Sequence, residues 1–211
     1  VPGGDAASPA LAAAVQAALA ALLPPGWAAE VCRLADPHGL HPAEAAAVAQ
    51  AVPQRRREFA AGRAALRRAL AASGRPVPGP ILPGPDRRPV LPPDVAVSLA
   101  HDRGLAIAVA GPVGAHWPGV DVEPLDAAAP DLAAAVAPFD GCDGLTAFVA
   151  KEAAFKAQFP ETGALLEFSD VALAAAGQRF AARMPAGVAR GQLLRAGGRI
   201  IALAWFPRSA P

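Results

Sequence analysis

The chain has 211 residues, of which 54% are hydrophobic and 18% charged, and its formal net charge is +1. That length fits one large domain or two small halves sharing a core. The near-neutral balance argues against a dedicated nucleic-acid coat or a polybasic membrane-surface protein. Gly and Pro, 20 and 24 residues, stay below the low-complexity range. Aromatics are scarce, with 8 Phe, 3 Trp and no Tyr. Alanine inflates the hydrophobic fraction while burying little area, so the core must rest on scattered Leu, Val, Ile, Phe and Trp.

The opening stretch from Leu11 to Leu23 is apolar, is interrupted by Gln16 and closes at Pro24-Pro25. It is too short to span a bilayer and no basic residue precedes it, so neither a membrane segment nor a signal peptide is expected. A cytoplasmic location is the corresponding expectation. The chain opens on Val1, which reads as a processed, trimmed or engineered start. Cys32 and Cys142 have no CxxC spacing and read as two reduced thiols.

In chain order, an alanine-rich helix over 11–23 precedes an extended piece near 28–34 and a loop at 36–39. A second helix opens at His41-Pro42-Ala43-Glu44, with proline at a tolerated first position. A longer helix covers 53–72 and stops at Ser73-Gly74, and the Pro/Gly-rich segment 75–93 reads as irregular. Val95, Val97 and Leu99 alternate with small residues, as do Leu105, Ile107 and Val109 beyond a turn at 101–104, which is a β-hairpin pattern. Residues 119–123 read as a strand. A loop rich in Ala, Pro and Asp follows, then a helix over 145–159 ended by Pro160. Short strands are expected at 171–173, 192–194 and 200–206. Helices precede strands in each half, 1–110 and 111–211, which points to α+β rather than alternating βαβ.

Seven of the basic residues fall between Arg55 and Arg75, and only Glu58 opposes them. On a helix, Arg56, Arg63 and Arg67 lie within about 40° of one another beside Phe59, Leu66 and Leu70. Guanidinium forks match phosphate oxygens, so the row suits an anionic ligand, and it equally suits a plain solvated face. Nucleic acid fits poorly, because no aromatics interleave the cluster.

Lysine occurs only at Lys151 and Lys156, both in FVAKEAAFKAQF. There Glu152 and Lys156 share a helical face, beside a stripe of Phe148, Phe155 and Phe159. An exposed ion pair would account for the first of these features. Asp121 and Glu123 leave the same face of their strand. Two like carboxylates side by side repel unless a cation lies between them. Mg²⁺ takes one or two such ligands and fills its other sites with water and phosphate oxygens. A solvent-facing edge strand is the alternative. His101 sits in the hairpin turn, with no nucleophile–base pair around it.

The order RRREFAAGR, PILPGPDRRPVLP, VSLAHD, GVDVEPLD and AKEAAFKAQFP resembles that of the 4′-phosphopantetheinyl transferases that prime carrier proteins of siderophore, nonribosomal peptide and polyketide pathways. The resemblance runs from about Cys32 to Phe206. It implies two similar α/β subdomains about a pseudo-twofold, with coenzyme A as co-substrate in the cleft between them. It also implies transfer of the phosphopantetheine arm to a serine of an apo acyl or peptidyl carrier protein, releasing adenosine 3′,5′-bisphosphate. By the same resemblance Asp121, Glu123 and Glu152 are the ligands of Mg²⁺, or of Mn²⁺ in its place. Glu152 and Lys156 are, with Asp121, the catalytic set: Glu152 as ligand or base, Lys156 against the pyrophosphate as acid or electrostatic stabiliser. Arg55 and Arg63 grip the 3′-phosphate, His101 contacts the coenzyme A phosphates and Lys151 lines the pocket.

Departures from the family pattern are Pro83, where relatives often carry a basic residue, Ala100 and Asp102 flanking His101, and Phe155 in place of a tyrosine. The phosphate contact that Pro83 lacks is either missing or shifted to Arg87 or Arg88. The resemblance implies a monomer, and the charge balance and the lack of a long apolar span imply neither nucleic acid nor membrane as a partner. A catalytically silent scaffold binding coenzyme A or carrier protein is the alternative reading.

Overall fold

A computed structural model describes residues 7–127, 129 and 131–209. Val1, and Ala128 and Pro130 of the expected Ala/Pro/Asp-rich loop, lie outside the described residues.

The first helix, α1 (Pro9–Ala20), starts two residues earlier than the apolar run. Ser8 caps it by accepting from Leu11 N at 3.1 Å, and Pro9 takes the first turn, where no N–H is needed. Its end tightens into a turn, Leu22 N bonding Leu19 O at 3.0 Å, well before Pro24. Strand β1 (Ala28–Arg33) and the short α2 (Pro42–Ala47) follow as the sequence predicts. In α2, His41 Nδ1 accepts from Ala43 N at 3.2 Å and Glu44 Oε2 from His41 N at 3.0 Å, a reciprocal cap.

Helix α3 (Pro53–Ala72) ends at Ser73, with Gly74 in a left-handed conformation. Its buried face of Phe59, Ala61, Ala65, Leu66, Ala69 and Leu70 lies on a three-stranded sheet. That sheet runs β1-β3-β2, where β2 is Val95–His101 and β3 is Leu105–Pro112. Every residue of β3 from Leu105 to Gly111 is buried, and Val31 of β1 faces Ile107.

The segment 75–93 is more ordered than its Pro/Gly content implies. Val90 N bonds Leu82 O at 2.9 Å, Gly84 N bonds Arg88 O at 2.7 Å, and Pro83 bridges Pro89. Two backbone bonds across a tight turn, with Arg87 at φ 66°, make a small hairpin out of residues that favour turns.

The chain divides into two units, Val1–Ala96 with His101–Pro112, and Val97–Ala100 with Val113–Pro211. The second holds a six-stranded sheet whose members are β4 (His116–Pro124), β5 (Phe139–Asp140), β6 (Ala172–Ala176), β7 (Arg179–Met184), β8 (Gly187–Ala196) and β9 (Arg199–Pro207). Their order is β4-β9-β8-β7-β6-β5, antiparallel throughout except for the β5–β6 pair. The architecture is α+β, as the grouping of elements predicts. The sequence pattern does not predict β5 and β7. Strands β6, β8 and β9 contain or overlap the expected runs and extend beyond them.

Between β4 and β5 lies the one-turn α4 (Leu132–Ala135), and after β5 comes the long α5 (Gly144–Thr162). Asp143 caps α5 by accepting from Thr146 N at 2.7 Å. The expected stop at Pro160 is corrected: the proline sits inside the last turn, and the helix ends where Gly163 turns left-handed at φ 65°. A proline there removes one interior hydrogen bond but leaves the terminal one, from Gly163 N to Phe159 O at 2.8 Å.

The buried face of α5 also differs from the expected Phe stripe. Phe148, Phe155 and Phe159 are half-buried; Phe155 and Phe159 meet at 5.6 Å between centroids, as the stripe implies, and Phe148 meets Phe168 at the same distance. Ala147, Ala150, Ala153, Ala154 and Ala157 form the fully buried face. They share a core with Phe180, Leu193, Ile200 and Phe206. Small residues on α5 let its backbone settle close onto β4, β9 and β8.

Candidate functional site

In the second unit, β4 and α5 bring acidic and basic groups together. Asp121 is 7% exposed on β4. Its Oδ1 accepts from Lys156 Nζ at 2.6 Å, and the same ammonium reaches Val120 O at 3.2 Å. Asp121 Oδ2 is buried, and no hydrogen bond reaches that oxygen among the described residues. Ser98 Oγ, also buried, takes the Val120 N–H at 2.9 Å, which fixes the backbone next to the aspartate.

Glu152 lies one helical turn before Lys156. Burial pushes its carboxyl above the usual carboxylate range, and the charge of Asp121 pushes the same way, with Lys156 only partly opposing. Asp121 and Glu152 therefore feel each other as like charges. A folded-state value above the unfolded one stabilises the protein at pH below the ordinary Glu value, about 4.3. That contribution is lost as pH rises through the raised folded value. Glu152→Gln should accordingly raise the melting temperature of the metal-free protein at neutral pH, as scanning calorimetry would show. An unchanged or lowered melting temperature would contradict the repulsion.

Glu123 shares the α5-facing side of β4 with Asp121 and is half-buried. Among the described residues no group of three or more His, Cys, Asp and Glu side chains is gathered closely enough to hold a metal ion. Asp121 and Glu152 are near enough for the charge of one to act on the other. Such a pair suits Mg²⁺, which takes one or two carboxylates and leaves its other positions to water and phosphate oxygens.

Lys151 is on the other side of α5. It is 1% exposed, and its Nζ donates to Phe168 O at 2.8 Å. Burial pulls its ammonium below the usual lysine value. In the described structure it is enclosed under the 3₁₀ turn Phe168–Asp170, not open to a ligand.

In the first unit, Arg55 and His101 meet: Arg55 Nη1 lies 3.2 Å from His101 Nε2 and 3.3 Å from Glu58 Oε2. Arg63, two turns further along α3, is 6% exposed. Its Nε donates to Ile81 O at 2.7 Å and its guanidinium lies 4.3 Å over the Phe59 ring. Burial pulls Arg63 down to about 10, with Arg67 and Arg55 acting the same way against Glu44. It remains a cation at neutral pH. Arg55 and Arg67 are thus near enough to act on Arg63, on the same basic helix row that carries Arg56.

Part of that row is tied down internally. Arg67 Nη2 donates to Glu44 Oε1 at 2.5 Å and to Gly79 O at 3.2 Å, and Arg56 Nε to Ala51 O at 2.7 Å. Nothing in its sequence context marks Glu44 as special, yet it is fully buried. Besides Arg67 and its own helix cap it accepts from Ile81 N at 2.7 Å. Glu44 and Arg63 thus hold the two sides of one residue, Ile81, and fasten the 79–90 segment to α3. Burial works to raise the Glu44 carboxyl, but the bonds from Arg67, Ile81 and His41 outweigh it and hold it below the ordinary range. Its stabilisation is present above the unfolded carboxylate value and fades as pH falls through the lower, folded one. Glu44→Ala should cost about 3 kcal/mol in urea unfolding at pH 7, since it strands buried donors. A cost under about 1 kcal/mol, the range of an exposed pair, would contradict the clamp.

Residues 43–111 match the model of the 4′-phosphopantetheinyl transferase N-terminal domain, and the chain belongs to the 4′-phosphopantetheinyl transferase family. Membership rests on similarity across most of the sequence. The chain is 38% identical to the 4′-phosphopantetheinyl transferase Svp of Streptomyces mobaraensis, over 74% of this chain and 71% of that protein. It is 37% identical to the 4′-phosphopantetheinyl transferase PptT of Mycobacterium tuberculosis, over 64% of this chain and 66% of the relative. No helix among the described residues is long and apolar enough to cross a membrane.

Proposed function

We propose that the protein transfers the 4′-phosphopantetheine arm of coenzyme A to a serine of an apo acyl or peptidyl carrier protein, releasing adenosine 3′,5′-bisphosphate. The carrier protein would belong to a nonribosomal peptide, polyketide or siderophore pathway, and the enzyme would act as a cytoplasmic monomer. The observation that carries this reading is the Asp121–Glu152–Lys156 constellation, in which a carboxylate of raised proton affinity stands beside a second carboxylate and a lysine.

The reaction needs a base for the serine proton and positive charge on the departing phosphate. Glu152 accepts the proton from serine Oγ, directly or through a water, as the new O–P bond forms. The bond from that phosphorus to the adenosine-bearing phosphate breaks, and Lys156 places its ammonium against the leaving oxygens. Asp121 holds Lys156 in position through Oδ1. A Mg²⁺ ion held by Asp121 and Glu152, with Glu123 as the third carboxylate, would supply Lewis-acid stabilisation of the pyrophosphate oxygens. Arg55, Arg63 and His101 supply cationic donors for the 3′-phosphate and the other coenzyme A phosphates.

The test is to incubate the protein with coenzyme A, Mg²⁺ and a purified apo carrier protein and to measure intact mass. A mass gain equal to one phosphopantetheine arm, erased by chelator, is the expected result. Coenzyme A or carrier binding without any mass gain would identify a silent scaffold instead. Reversing the charges of Arg87 and Arg88 together tests whether the 82–90 hairpin docks the carrier. An unchanged KM for the carrier removes those two residues from that role.

A further inference from the structure

Glu58 is the one acidic residue of the basic segment, and its place in the fold gives it a task that the phosphate grip alone does not account for. It sits on α3 one turn after Gln54 and three residues after Arg55. Gln54 Nε2 donates to Glu58 Oε1 at 3.0 Å, which leaves Oε2 turned toward Arg55 Nη1 at 3.3 Å and His101 Nε2 at 3.7 Å. The Glu58 side chain is 16% exposed, whereas those of Arg55 and His101 are 54% and 41% exposed. The carboxylate is thus the sheltered member, and Arg55 and His101 are the more exposed ones.

We propose that Glu58 is a positioning residue for anion recognition, holding Arg55 directly, and His101 through Arg55, as a preset pair. The inference rests on the coenzyme A reading above. A long exposed arginine loses substantial rotamer freedom when it grips a ligand, and an anchor made beforehand removes that cost from binding. The anchor uses the atom a phosphate needs least. Arg55 spends Nη1 on Glu58 and His101, while its Nε and Nη2, the edge that matches two oxygens of a phosphate, make no hydrogen bond among the described residues.

The carboxylate also solves an electrostatic problem. A guanidinium can only donate, so at 3.2 Å the imidazole accepts at Nε2 in this arrangement. Arg55 and Arg67 also act on Arg63 as like charges along α3, and Glu58 Oε2, 3.3 Å from Arg55 Nη1, offsets that repulsion until the anion arrives.

Titration calorimetry of the full chain with coenzyme A and with 3′-dephospho-coenzyme A tests the assignment. Glu58→Gln keeps the shape and removes the charge. It should weaken coenzyme A about tenfold and dephospho-coenzyme A less than about twofold, raise KM for coenzyme A by the same factor and change kcat little. Glu58→Asp should recover part of the affinity. Wild-type affinity for coenzyme A in Glu58→Gln overturns the proposal, and so does an equal loss for both ligands, which is what a merely structural role would give. If the wild-type protein binds neither ligand, the coenzyme A reading falls and the positioning role falls with it.

Discussion

Asp121→Ala should reduce carrier-protein modification by at least about a thousandfold while leaving the protein folded, because the carboxylate positions the lysine and, on the proposed mechanism, would also hold the metal. The expectation of a folded variant follows from the local balance. Asp121 is buried, but its partner Lys156 is partly open to solvent, with 27% of its side chain exposed. Removing Asp121 therefore strands no enclosed cation. It also relieves the like-charge repulsion on Glu152, whose proton affinity should fall toward the ordinary carboxylate value. Intact-mass kinetics with and without Mg²⁺ measure the first expectation, and circular dichroism with thermal melts measures the second. A variant that remains active and responds to Mg²⁺ would remove Asp121 from the reaction. A variant that fails to fold would show that the Asp121–Lys156 pair is structural first.

Gly119→Ala should damage the same site from a distance of two residues, by steric force. A Cβ built on Gly119 would stand 1.9 Å from Ala153 O and 2.7 Å from Ala157 N, both backbone atoms of α5. No side-chain rotation can relieve such a clash, so β4 and α5 must separate. The expected cost is about 3 kcal/mol or more, at the upper end of overpacking effects. Separation would also lengthen the 2.6 Å Lys156–Asp121 ion pair, so activity should drop even where the variant is still folded. Urea unfolding and transfer kinetics on one preparation check both effects. A variant within about 1 kcal/mol of wild type would mean that β4 slides without penalty, contrary to the close packing described. Gly119 is thus as much a part of the site as the carboxylates are, since it lets them approach a helix whose buried face is alanine.

The two units differ in how far their parts are legible in the sequence. Helix α3 runs over 53–72 as its periodicity predicts, because the Phe59, Leu66 and Leu70 stripe and the Ser73-Gly74 stop are strong local signals. The β2–β3 hairpin follows alternation and a turn in the same way. Strand β7 carries a much weaker signal. Its buried positions are Phe180, Ala182 and Met184, and its outward ones include Arg179 and Arg183. Alternation built partly on alanine is hardly distinguishable from alanine-rich loop or helix. The extension of α5 past Pro160 is hidden for another reason: local rules rank proline as a stop, while the cap at Gly163 overrides it.

The amino-acid sequence by itself determined the residue types and their spacing. Asp121 and Glu123 share a strand face, Glu152 and Lys156 share a helix face, and seven basic residues crowd 55–75. Those relations are local, set by periods of two and 3.6 residues, and they survive any arrangement of the elements. Only the tertiary structure decided which of these groups meet. It joined Asp121 to Lys156 across 35 residues and Arg55 to His101 across 46. It also turned Lys151 inward onto Phe168 and drew Glu44 into a buried clamp with Arg67 and Ile81. Whether a charge is a solvated ornament or a buried, shifted and directed group depends on desolvation and on neighbours distant in sequence, and both come into being only when the chain has folded.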